Sequence, residues 1–184
     1  VRGAERAELL DLDPDNLKGA AKAYYEGGEE GLLNYLTASS MLSRMDSDNN
    51  ETRREAVLNA INGLDSDEIN DLIEDYTDKR DTAVEEVNDL LSSMYDGMSA
   101  SDAKALRDDV YANIRSAELY QALGMDTSNL DGAAKAYLNG GVEGVRDYYY
   151  AKNALNQMGM SNTPKNRENI INTLNEGGEE AVTT

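Results

Sequence analysis

Asn16-Leu17-Lys18-Gly19-Ala20-Ala21-Lys22-Ala23-Tyr24 returns, at an offset of 113 residues and without a gap, as Asn129-Leu130-Asp131-Gly132-Ala133-Ala134-Lys135-Ala136-Tyr137. The match continues on both sides. Glu26-Gly27-Gly28-Glu29-Glu30-Gly31 faces Asn139-Gly140-Gly141-Val142-Glu143-Gly144, Tyr35 faces Tyr148, and Ala38 faces Ala151. Leu42 faces Leu155, Met45 faces Met158, Arg54-Glu55 faces Arg167-Glu168, and Asn59 faces Asn172. About two dozen of roughly 67 aligned pairs are identical, which marks an internal duplication.

The repeated stretch reads as helix. Leu17, Ala20, Ala21 and Tyr24 recur at spacings of three and four over 15–26, and Gly27-Gly28 stops the run. Leu32, Leu33, Tyr35, Leu36, Leu42 and Met45 carry a second helix over 29–45. Between the copies the longest apolar stripe runs over 66–95, with Ser66 as the expected N-cap, and another follows over 101–123. Thr163-Pro164 reads as an N-cap followed by proline at the first helical position. No stretch of useful length alternates like a strand. Double-glycine turns this short make neighbouring helices antiparallel.

The expected fold is therefore all-α. It consists of antiparallel helical hairpins, with two repeated lobes joined by a long helical hairpin in a solenoid-like bundle. The divisions are 1–65 for the first copy, 66–117 for the connecting hairpin and 118–184 for the second copy. A shorter echo, Gly177-Gly178-Glu179-Glu180, and turns at Gly63-Leu64-Asp65 and Gly97-Met98-Ser99 fall roughly 35 to 43 residues apart, the range in which helical hairpins stack. The first copy starts near Glu5, opposite Glu118 inside a long helical pattern, and the second stops opposite Asp71. The chain thus reads as a stretch of a longer repeat array.

Composition narrows the function. Lys and Arg total 17 against 36 Asp and Glu, a formal charge of −19. Such a chain repels nucleic-acid backbones and anionic lipid surfaces, so neither is expected as a partner; a protein partner or self-association is. Cys and His are absent, which removes thiol and Ser-His chemistry and ordinary zinc sites. No cofactor and no catalytic activity are expected. No run is apolar enough to span a membrane, and no signal-peptide core opens the chain.

Three acidic segments have oxygen ligands at alternate positions: Asp11, Asp13 and Asp15; Asp46, Asp48 and Asn50; and Asp65 with Asp67. A calcium loop also needs glycine at position six and a bidentate glutamate at twelve. Counted from Asp46 these are Glu51 and Val57, and counted from Asp11 position twelve is Lys22. Neither loop is complete, and N-capping explains such segments better; Asp46, Asp48 and Asn50 remain the candidate calcium ligands. The double-glycine turn lacks the Gly-Lys-Ser/Thr ending of a phosphate loop and reads as a helix break. Tyr148-Tyr149-Tyr150 points three rings in three directions on a helix, so at least one should be exposed. With Tyr137 these are the expected partner-contact residues. With 36 carboxylates some pair always lies close, so proximity alone nominates no catalytic acid pair.

Gly141-Val142-Glu143-Gly144-Val145-Arg146-Asp147-Tyr148-Tyr149-Tyr150 and Met45-Asp46-Ser47-Asp48-Asn49-Asn50 carry a resemblance. An amphipathic helix, a Gly-Gly turn, a Tyr-rich helix and an Asp/Asn-rich link together resemble helical repeat segments of very large virion-structural and tape-measure-like proteins. Those proteins belong to phages and mobile elements of Gram-positive bacteria. The resemblance implies a helical repeat with a structural role, and it covers only the middle of each repeat. In such segments the Asp/Asn link often looks like a calcium loop, which here is degenerate.

Three readings follow. The first is a non-catalytic helical module for scaffolding or protein contact within a larger structural protein. The second is an acidic inhibitor or nucleic-acid mimic that binds a basic partner. The third is a calcium-responsive structural module.

Overall fold

A computed structural model describes Arg2 and residues 16–177 of the chain. The first acidic segment, Asp11 to Asp15, and the Gly178-Glu179-Glu180 echo lie outside the described residues. Among those described the fold is all-α, with no strand. Its helices are α1 (Gly19–Arg44), α2 (Glu51–Ala60), α3 (Ser66–Leu90), α4 (Ser92–Asp96), α5 (Ala100–Ala122), α6 (Gly132–Gln157) and α7 (Pro164–Gly177). A 3₁₀ turn, Thr127–Asn129, precedes α6.

α1 and α6 are each two helices in one. Gly28 has φ 61° and ψ −144°, and Gly141 has φ 60° and ψ −148°, backbone values open essentially to glycine alone. The chain reverses there. A β-carbon at Gly31 would stand 2.3 Å from the Ala23 carbonyl oxygen, and one at Gly19 would stand 3.0 Å from the Tyr35 hydroxyl. In a straight helix those residue pairs would be roughly 12 Å and 24 Å apart. The two arms therefore lie antiparallel and in contact, as the double-glycine turn implies. The second copy repeats the register: a β-carbon at Gly144 would stand 2.4 Å from the Ala136 carbonyl oxygen, and one at Gly132 would stand 3.3 Å from the Tyr148 hydroxyl.

Caps set the other boundaries. Asn50 accepts from the Arg53 N–H (3.0 Å) and starts α2. Thr163 accepts from the Asn166 N–H (3.2 Å) ahead of Pro164, as expected. The N-cap of α3 is Asp65 rather than Ser66. The Asp65 carboxylate accepts from the Asp67 and Glu68 N–H groups at 2.9 and 3.0 Å, and Glu68 returns to the Asp65 N–H at 2.9 Å. That reciprocal box requires a glutamate three residues after the cap, which selects Asp65. The helix expected over 66–95 breaks at Leu91, with α4 continuing beyond it.

The described residues form two compact units. One runs to Thr77 and includes Ala122–Met125; the other comprises Asp78–Gln121 and the residues from Asp126 onward. In the first, α2 packs on α1. Ala38, Leu42, Met45, Val57 and Tyr76 are buried, and the Tyr76 hydroxyl donates to the Met45 carbonyl at 2.9 Å, which pins α3 to the end of α1. In the second, α7 packs on α6, and the Arg80 and Arg107 guanidinium groups lie over the Tyr111 and Tyr95 rings, which fits α3 and α5 running antiparallel. Its core joins Val87, Leu91, Val110 and Ile114 to Val145 and Tyr149 of α6.

Candidate functional site

The clearest repeated arrangement is a clamp that lines a cleft in each copy. Tyr35 rises from the second arm of α1, and the Arg54 guanidinium of α2 lies over its ring at 4.8 Å. Arg54 Nη1 donates to Asn49 Oδ1 at 2.7 Å. In the second copy Arg167 lies over Tyr148 at the same 4.8 Å, and its Nη1 donates to Asn162 Oδ1 at the same 2.7 Å. Glycine at 19 and 132 leaves room for each tyrosine hydroxyl. Stacking a cation on a ring at a partly exposed site contributes about 0.5–1 kcal/mol. The retained residues thus hold α2 and α7 against their hairpins. Asn49 and Asn162 belong to this clamp, and the signal for them was present: the same residue at the repeat offset, five before a retained arginine.

The clefts are open, with cavity volumes of ≈ 190 Å³ in the first copy and ≈ 450 Å³ in the second. Lys22 and Lys135, with Glu55 and Glu168, line them in both copies. Lys22 pairs with Glu26 at 3.6 Å, a bond that Asn139 at the equivalent position cannot make as an ion pair.

The expected contact tyrosines are mostly engaged. Tyr149 is 1 % exposed, and its hydroxyl donates to Asp109 Oδ2 at 3.0 Å. It is core, which removes it as a contact residue. The Tyr150 hydroxyl shares a hydrogen bond of 2.8 Å with Ser93, and Tyr148 meets Tyr149 edge to face at 5.2 Å. Tyr137 donates to the buried Glu118 carboxylate. Tyr137, Tyr148 and Tyr150 are half-buried, so the exposed ring expected within the triplet is absent: α7 covers Tyr148 through Arg167, α5 takes Tyr149 and Ser93 of α4 meets Tyr150.

Burial, with Asp109 as charge and hydrogen-bond partner, pushes the Tyr149 hydroxyl well above its ordinary pKa of 10.0. Burial and the Glu118 contact do the same to Tyr137. The sign follows directly. Above pH 10 the unfolded chain releases these protons while the folded chain keeps them, so stability is full below 10 and falls as pH rises. Thermal melts between pH 8 and 11 should show the melting temperature dropping above pH 10. In Tyr149→Phe the drop should be smaller.

Asp46, Asp48 and Asn50 are near in sequence but have separate tasks. Asp48 accepts from Arg53 Nη1 at 2.9 Å, Asn50 caps α2, and Asp46 takes a positive φ of 49° at the end of α1. Among the described residues no group of three or more His, Cys, Asp or Glu could hold a metal ion. No helix among them is long and apolar enough to cross a membrane.

What stands open is apolar. Leu33 and Leu36, one helical turn apart on the second arm of α1, are 63 % and 52 % exposed, and Leu36 borders a cavity of ≈ 380 Å³ with Ile61 and Ile69. In the second copy Met158 and Met160 are each 47 % exposed. Comparison of the chain with family models, with curated proteins and with solved structures finds no match, so the assignment of function rests on this geometry.

Proposed function

We propose that the chain is a non-catalytic helical repeat module whose work is protein contact within a larger structural assembly. The observation that carries this reading is Leu36, 52 % exposed beside the exposed Leu33 on the first hairpin, where the duplicate buries Tyr149 at the position equivalent to Leu36. Water-exposed leucines beside an apolar cavity cost free energy until something covers them. The clamp that recurs in both copies supports the same reading. It spends tyrosine, arginine and asparagine on holding helices in register rather than on presenting reactive groups. The resemblance to tape-measure-like repeat segments points the same way.

Intact-mass measurement of the protein isolated from its source tests the proposal. The expected mass is well above 20.1 kDa, with peptides from further copies of the repeat. A mass near 20.1 kDa in a monodisperse monomer would overturn it and leave the acidic-inhibitor reading to be pursued with basic partners.

A further inference from the structure

Because the module occurs twice, each copy shows what covers the other. Ala133, Ala134, Val145 and Tyr149 are all buried in the second unit. At the equivalent positions in the first unit Ala20, Ala21 and Leu32 are half-buried and Leu36 is exposed. At the far end the order reverses. Met41, Met45 and Val57 are buried in the first unit, while Ala154 and Ile170 are half-buried and Met158 is exposed in the second. The module therefore has two faces that take neighbours, and each copy has one of them filled.

The filled faces name the occupants. In the second unit the cover is α5. Asn113 Oδ1 accepts from the Ala134 N–H at 3.3 Å, a first-turn donor with no acceptor inside its own helix. Asp109 accepts from Tyr149 and, at 3.3 Å, from Lys152 Nζ, and Glu118 accepts from Tyr137. Val110 and Ile114 supply the apolar contact. In the first unit the far end is covered by the start of α3 through Tyr76.

We infer that the open face around Ala20, Leu32 and Leu36 is the docking site for a helical hairpin of the kind formed by residues 78–121, offered by a neighbouring repeat. The inference rests on the contact role proposed above. The first copy keeps the receiving groups: Ala21 is the first-turn donor equivalent to Ala134, and Tyr24 stands where Tyr137 does. It departs at one place. Leu36 and Ser39 replace Tyr149 and Lys152, so nothing there answers a carboxylate with a charged or phenolic donor. In repeat register this chain's own Glu5 stands at the Glu118 position, so the neighbour's hairpin has an amide at the Asn113 position and an apolar residue where Asp109 stands.

The chain contains no cysteine, which gives a clean accessibility assay. Leu36→Cys is placed in the full chain and in a chimera in which a second copy of residues 78–117 is joined, in repeat register, ahead of Glu5. Labelling by a thiol reagent should slow about a hundredfold in the chimera, because the thiol reacts only when the cover opens. Met158→Cys, on the other face, should label equally fast in both proteins. Changing Asp109 to leucine in the appended copy should slow Leu36→Cys further. Equal labelling of Leu36→Cys in the two proteins overturns the occupant while leaving the contact role, which the native mass decides by itself. Faster labelling with the leucine change overturns the stated chemistry. A parent chain that sediments as a dimer with Leu36→Cys already protected also overturns the proposal, because the occupant would then be a second copy of this chain.

Discussion

Gly144→Ala should destabilise the second unit by about 3 kcal/mol, near the upper end of the cost of forcing extra atoms into a packed contact. The added methyl would meet the Ala136 carbonyl oxygen at 2.4 Å and its carbon at 3.2 Å, and both belong to backbone that a rotamer change cannot move aside. The arms must separate, and Tyr148, which lies against Gly132, must move with its arm. Native-state hydrogen exchange of the α6 amides reads this unit alone and should show the loss. Gly140→Ala is the control. A methyl there meets nothing within 4 Å, and removing a glycine's freedom from the unfolded chain stabilises by about 0.4–1 kcal/mol where the backbone tolerates the change. If both variants behave alike, the hairpin contact is not close.

Tyr149→Ala should cost the second unit about 4 kcal/mol, the usual range for truncating a buried aromatic residue. The ring is 1 % exposed and packs in the core with Val110, Ile114 and Val145. Its loss also takes a donor from Asp109. The same truncation at the equivalent position of the first copy, Leu36→Ala, should change stability by less than about 1 kcal/mol, because that side chain is 52 % exposed. Urea unfolding of the two variants measures the contrast. Comparable losses would mean that Leu36 is covered in solution, contrary to its exposure in the structure.

The hairpins were legible because glycine is the punctuation mark of a helix: Gly27-Gly28 and Gly140-Gly141 interrupt two otherwise good helical patterns at the same place. The close approach at Gly31 and Gly144 was not, since a glycine that makes room for a carbonyl looks like any other glycine in the chain. Leu36 and Tyr149 show a deeper limit. Both occupy one position of one pattern, and periodicity assigns both the same face. Whether that face meets α5 or water depends on residues more than twenty positions away in sequence. The Tyr148 to Tyr150 run invited a surface reading because three adjacent rings cannot share one side of a helix. It did not reveal that Ser93, Asp109 and Arg167 would receive them from three directions. The N-cap of α3 differs by a single residue for a local reason, since Asp65 and Ser66 are equally good caps until the position of Glu68 is weighed.

The reversals at Gly28 and Gly141 have a mechanical consequence. Each is made by the dihedral angles of one residue, the tenth in a segment of 26 residues that is otherwise helical. Returning that residue to helical angles would turn the doubled arms into one rod of roughly 39 Å, at 1.5 Å per residue. Under tension along the chain, the arm-to-arm contact and the tyrosine clamp would yield before any helical hydrogen bond needed to break. Each copy thus stores extensible length behind a single glycine.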